Sequence, residues 1–141
     1  MTRMSTATHG TIDYVVSGMI AAMPKLFGLS KKVTAILEGS AGMSAMYSAM
    51  TNYERGLIKV LPMKAHLTLD ALSGGALLGA ALMLKDEDPE ARAALAGIGL
   101  FEIAAALTTE THSTTEDRKQ RRHIGGRSRK SRAIRRVAQH A

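Results

Sequence analysis

A chain of 141 residues has room for one domain and an appendage, and its charge is concentrated at one end. From Arg118 onward there are ten Lys/Arg and no acidic residue, whereas the rest holds nine Lys/Arg against twelve Asp/Glu, so the tail alone produces the formal +7. The absence of cysteine excludes disulfides and thiolate metal sites, and no HExxH, GxSxG, Walker loop or GxGxxG in a strand–helix context offers a catalytic signature.

Four apolar stretches follow one another along the chain, at 10–28, 33–51, 65–84 and 93–109. Each is near the length a helix needs to cross the hydrocarbon, about 20 residues with about 17 as the lower limit. The first already contains Asp13 and is followed by no cleavage pattern, so it is not read as a signal peptide. A tight connection with Gly28, Lys31 and Lys32 leads to the second stretch, where Ser40, Ser44 and Ser48 recur at helical spacing. The break at 52–64 carries Glu54, Arg55, Lys59 and Pro62, and the third stretch contains a GxxxG at Gly75 and Gly79. The charged turn KDEDPEAR at 85–92 precedes the fourth. Ala, Leu and Met dominate, strand alternation is absent, and no stretch shows the polar face of a soluble amphipathic helix. Small residues at helical spacing suit close helix packing in lipid. Aromatic residues are only 4% and Trp is absent, so the interfacial aromatic belt is thin.

The halves repeat at an offset of 57. His9, Thr11 and Asp13 fall on His66, Thr68 and Asp70, and an ungapped continuation pairs Gly18 with Gly75, Gly42 with Gly99 and Thr51 with Thr108. The fold expected is therefore an all-α transmembrane four-helix bundle over 1–112, followed by a disordered basic C-terminal tail over 113–141. Two tandem helical hairpins, 9–51 and 66–108, would lie in parallel orientation. Fourteen of the nineteen Lys/Arg lie in the N-terminus, the central loop and the tail, which places both termini of a multi-pass inner (plasma) membrane protein in the cytoplasm.

Spacing i,i+4 puts His9 with Asp13, and His66 with Asp70, on single helix faces. Two imidazoles and two carboxylates can bind a divalent metal or relay protons. The plainer reading is a pair of carboxylates near helix starts, where the dipole favours charge, with each His beside its Asp in the interface. Thr51 and Thr108 belong to the same layer by position, with Tyr53, Glu54 and His112 near them. Glu38 and Glu102 are the deeper carboxylates, each costing about 2.5–3.5 kcal/mol near mid-membrane unless it faces the bundle interior with a partner. The tail residues Arg118, Lys119, Arg121, Arg122, Arg127, Arg129, Lys130, Arg132, Arg135 and Arg136 form a polyanion-binding candidate for anionic lipid headgroups or nucleic acid. No aromatic is interleaved to stack on single-stranded bases.

Several segments resemble the small bacterial membrane proteins built from SPW repeats, each repeat a pair of helices. His9-Gly10-Thr11-Ile12-Asp13-Tyr14 matches an opening H-G-x-x-D-Y, and Met23-Pro24-Lys25-Leu26-Phe27-Gly28 resembles Ser-Pro-Trp-Leu-Phe-Gly, with Met23 and Lys25 in place of Ser and Trp. Residues 51–56 and 61–70 resemble T-x-Y-E-x-G and L-P-M-x-x-H-L-x-x-D, and 99–109 resembles the last helix. The likeness spans about 8–112 and implies location and architecture, but no activity, catalytic residue or cofactor. The leading expectation is a structural or interaction protein of the bacterial inner membrane, and not an enzyme. A proton- or metal-linked transport or enzymatic module using the His/Asp layer is the alternative. A soluble helical protein binding nucleic acid through its tail is the third.

Overall fold

The computed structural model describes residues 3–118 and 120. Four helices carry the fold: α1 (Thr6–Phe27), α2 (Lys31–Met50), α3 (Met63–Met83) and α4 (Pro89–Thr108). A short helical stretch follows from Thr114, and there is no strand among the described residues. Each long helix starts two to four residues earlier than its apolar run, because polar residues supply the first turn. Ser5 and Ser30 accept the backbone N–H groups of Thr8 and Val33 as N-caps, and Pro89 occupies the first turn of α4, where its missing N–H costs nothing. Gly28 ends α1 in the left-handed region at φ 61°, with its N–H returned to the Pro24 carbonyl.

α1 packs along α2 and α3 along α4, while α2 touches α3 more sparsely. The tightest approach is between α3 and α4. A Cβ added to Gly74 or to Gly99 would lie 2.5 Å from the carbonyl oxygen of the other. The GxxxG pair does not make this contact: Gly75 and Gly79 have nothing within 4 Å of an added Cβ. The close face is turned by one residue, about 100°, from the one the motif suggested. The serine stripe of α2 does point inward. Ser40 meets Ser73 at 3.3 Å, Ser44 is buried, and Ser48 donates to Asp13.

Buried positions repeat from half to half, but not at one offset. Thr6, His9, Gly10, Ser17, Ile20 and Pro24 of α1 correspond at 57 to Met63, His66, Leu67, Gly74, Leu77 and Ala81 of α3. Val33, Leu37, Ala41, Ser44 and Ser48 of α2 correspond at 58 to Ala91, Leu95, Gly99, Glu102 and Ala106 of α4. The ungapped alignment therefore slips by one residue after the first helix of each half, where the connection 84–88 is longer than 28–30.

Ile20, Val33, Leu37, Leu77 and Leu95 form a buried apolar core, with small and polar residues buried beside it and large apolar side chains left on the outside. Small and polar residues (Gly10, Ser17, Ser44, Ser48, Gly74, Gly99) are buried, whereas Met19, Leu72, Leu82, Met83, Leu100 and Leu107 are exposed. Among the described helices, α3 and α4 are both long and apolar enough to cross a membrane.

Candidate functional site

The two His-x-x-x-Asp faces meet at the end of the fold that holds both helix starts. Each is positioned by a short backbone clip. Five residues before His9, the Met4 N–H donates to the Thr108 carbonyl at 2.9 Å, and the Met4 carbonyl accepts from Glu110 N–H at 3.0 Å. Five residues before His66, the Leu61 N–H donates to Met50 at 2.8 Å, and its carbonyl accepts from Asn52 at 2.7 Å. The entry to α1 is thus fastened to the exit of α4, and the entry to α3 to the exit of α2.

These clips lay a threonine against each imidazole. Thr51 Oγ1 donates to the Tyr47 carbonyl at 2.6 Å and sits 2.8 Å from His66 Nδ1. Thr109 Oγ1 donates to the Ala105 carbonyl at 2.7 Å and sits 2.8 Å from His9 Nδ1. A hydroxyl has one proton, and here it is already given to a helix carbonyl, so each threonine oxygen accepts from an Nδ1–H. Both rings consequently turn Nε2 inward. The residue at His9 is Thr109, not Thr108; Thr108 is exposed and returns its hydroxyl to the Ala104 carbonyl, a consequence of the offset of 58.

The inward atoms form one cluster. His9 Nε2 lies 3.1 Å from His66 Nε2, 3.0 Å from Asp70 Oδ2 and 3.4 Å from Asp13 Oδ1. His66 Nε2 lies 3.2 Å from Asp13 Oδ2 and 3.3 Å from Asp70 Oδ2. His9 and His66 are 1% and 0% exposed, so any charge here is shielded from water. Outer hydroxyls hold the carboxylates: Tyr47 donates to Asp70 Oδ1 at 2.6 Å, and Ser48 and Tyr53 to Asp13 Oδ2 at 3.2 and 3.5 Å. Tyr53 lies over α1 where there is no side chain, since a Cβ at Gly10 would stand 2.2 Å from its ring. With Nδ1 protonated and Nε2 bare, two carboxylates leave the cluster at −2. Burying that charge is costly unless two protons or one divalent cation balance it.

The structure brings His9, Asp13, His66, Asp70 and Thr51 together and adds Tyr47 and Thr109. Tyr47 had a signal, since it stands one turn before Thr51 on the serine-rich face of α2. Thr11 and Thr68, the middle residues of the repeated motif, instead bond back to carbonyls of their own helices. Glu38 is not a buried carboxylate: it is exposed on α2. Its inward placement rested on depth along the apolar stretch, which does not fix the helix face, and the residue corresponding to Glu102 at the offset of 58 is Ser44. Glu102 is buried, its Oε2 has no partner, and it lines a cavity of about 20 Å³ with Asp13, Ser44, Asp70 and Phe101.

Glu54 lies in the loop beside the cluster and accepts from Thr6 Oγ1 at 2.7 Å and from the Thr114 hydroxyl. Partial burial would raise its carboxyl, but the hydrogen bonds from Thr114 and Thr6 win and hold it below the ordinary carboxylate range. Burial pushes the Tyr53 phenol up, with Asp13 nearby adding to the shift. The segment after α4 docks here too: Ser113 and Thr115 donate to the Asn52 carbonyl, and Glu116 accepts the Met63 N–H at the start of α3 at 2.9 Å. His112 and Arg118 are exposed. The tail candidates Lys119, Arg121, Arg122, Arg127, Arg129, Lys130, Arg132, Arg135 and Arg136 lie outside the described residues. Compared with protein-family models, curated proteins and solved structures, the chain matches none.

Proposed function

We propose that this is a small multi-pass membrane protein of structural or interaction type. Two tandem helical hairpins enter the membrane in the same direction and are tied together at one end by the His/Asp cluster. The observation that carries this reading is the set of large apolar side chains exposed along the helices. Burying a large aliphatic or aromatic side chain is worth about 1.5–3 kcal/mol relative to leaving it in water, yet Leu72, Leu82, Met83, Leu100 and Leu107 point outward, outside a core of Ile20, Val33, Leu37, Leu77 and Leu95, while serine and glycine line the closest helix contacts. Lipid removes that conflict, because association within it depends on close packing and polar contacts between helices rather than on hydrophobic burial. The matching burial at offsets of 57 and 58 supports the tandem arrangement, as does the meeting of both helix starts at one end. The resemblance to SPW-repeat proteins agrees with it on residue motifs.

The cluster end carries the central loop and leads into the basic segment, so the loop charges favour a cytoplasmic location for it in a bacterial inner membrane. There the ten Lys/Arg form the contact element for anionic lipid or another polyanion. Fractionation of expressing cells tests the reading. The chain should stay in the membrane pellet after an alkaline carbonate wash, and a reporter fused after Ala141 should be active on the cytoplasmic side. Recovery in the detergent-free supernatant after ultracentrifugation would reject the membrane assignment in favour of a soluble nucleic-acid-binding protein.

A further inference from the structure

We propose that His9, Asp13, His66 and Asp70 form a four-ligand site for one divalent cation of the zinc class, shared between the two hairpins. The first argument is orientation. Metal-bound histidines usually donate their other ring N–H to a fixed acceptor, which sets the tautomer and aims the free lone pair. Thr51 and Thr109 do this for both rings, from chemically equivalent places one residue beyond α2 and α4. The carboxylates are held likewise by Tyr47, Ser48 and Tyr53.

The second argument is spacing. Zinc bonds of about 2.0–2.1 Å to nitrogen and oxygen, set tetrahedrally, require donor atoms roughly 3.3–3.4 Å apart. The two nitrogens are 3.1 Å apart and Asp70 Oδ2 lies 3.0 and 3.3 Å from them, while Asp13 meets His9 through Oδ1 at 3.4 Å and His66 through Oδ2 at 3.2 Å. One donor atom from each residue lies within 4.8 Å of all the others, so one Asp13 oxygen turning inward completes the set. Charge is the third argument, since two carboxylates and one divalent cation sum to zero in a place where surplus charge is costly. Two added protons would also reach zero, each Nε2–H then donating to the other hairpin's carboxylate at 3.0 and 3.2 Å, and zinc titration separates the two states. Two imidazole nitrogens and two carboxylate oxygens in a tetrahedral set favour zinc over magnesium or calcium, which take oxygen ligands at higher coordination.

Four protein ligands complete the tetrahedron. The adjoining cavity of about 20 Å³, lined by Glu102, has room for one water and none for a substrate. The site is therefore a closed clamp that fastens α1 to α3, in the manner of structural zinc centres. This deepens the reading of the cluster as the tie between hairpins and rests on it.

The test uses the full chain purified in mild detergent, stripped with a chelator and titrated with zinc, magnesium or cobalt(II). One zinc per chain should bind, raise the unfolding temperature and resist competition by millimolar magnesium, and cobalt should give the intense visible spectrum of tetrahedral coordination. H9A/H66A should abolish binding. T51V and T109V keep all four ligands and should lower zinc affinity about 10–100-fold. A folded wild-type protein with no stoichiometric zinc and no thermal response overturns the clamp, as does zinc bound equally by H9A/H66A or a weak octahedral cobalt spectrum. Membrane fractionation is read separately, so a chain that is inserted but does not bind zinc overturns this inference alone.

Discussion

Adding one methyl group to α3 should damage the fold at one position and leave it intact at the next. Gly74 and Gly99 each hold the other's carbonyl oxygen 2.5 Å from where a Cβ would stand, so Gly74→Ala requires the backbones to part by about 0.9 Å to reach ordinary contact at 3.4 Å. A radial gap of 0.5–1 Å forfeits about a quarter to a half of the dispersion well for the atoms that face it, and overpacking of this kind costs about 1–3 kcal/mol. Ile103 Cγ1, at 2.9 Å from the same added carbon, leaves little room to relax. Gly75→Ala and Gly79→Ala meet open space, and alanine's helix preference makes them neutral or stabilising by up to about 1 kcal/mol in water, less in lipid. The assay is thermal or SDS-induced unfolding of the detergent-solubilised protein followed by helical circular dichroism. G74A and G99A should each destabilise, and the double variant should cost less than their sum because one displacement accommodates both methyls. Destabilisation by G75A and G79A with G74A unchanged would refute the packing face and restore the motif-based one.

Tyr47→Phe strips the 2.6 Å hydrogen bond from Asp70 and should destabilise by about 1–3 kcal/mol in the same unfolding assay, without changing helix content. Glu54 contributes stability that is present above its unfolded pKa and is lost as pH falls through its lowered folded pKa, because the unfolded chain binds the proton first. Glu54→Gln should therefore flatten the acid limb of a stability–pH profile and leave the alkaline limb unmoved. Glu38→Gln should stay within about 0.5 kcal/mol of wild type, as an exposed substitution does. Glu102→Met should be neutral or stabilising, since it replaces a buried carboxylate whose Oε2 has no partner; clear destabilisation would show that the carboxylate is bonded.

The parts of the site that could be read ahead of the structure were those with a local rule. His9 with Asp13 and His66 with Asp70 needed only helical periodicity, and the shared offset of 57 said that they are equivalent. What failed depended on register across a turn. The α3–α4 connection is longer than the α1–α2 connection, so every equivalence carried into the second helix of a half moved by one residue: Thr108 for Thr109, and Gly42 for Ala41 opposite Gly99. In a helix one residue is 100°, enough to exchange an inward face for an outward one. Glu38 was misplaced for another reason, since depth along a helix does not say which face a residue occupies. Gly75 and Gly79 failed differently, because a GxxxG spacing identifies a helix face but not its partner. The contacts of Tyr53, Glu54 and Ser113 join segments of irregular backbone and follow no period.

The two backbone clips have a consequence for how the halves relate. The entry of each half is fastened to the exit of the other, and each half lends its threonine to the other's histidine. Reciprocal exchange of this kind defines an isologous contact, as between two identical subunits around a twofold axis. Here both participants lie on one strand of covalent chain, joined through residues 51–62. The partner is always present at fixed effective concentration, so the contact forms as a first-order event, independent of protein concentration. One chain also lets the two halves differ: Tyr47 has only Ala105 as its counterpart, and Ser44 has Glu102, so the histidine–threonine pairs match between the halves while the groups around the carboxylates do not.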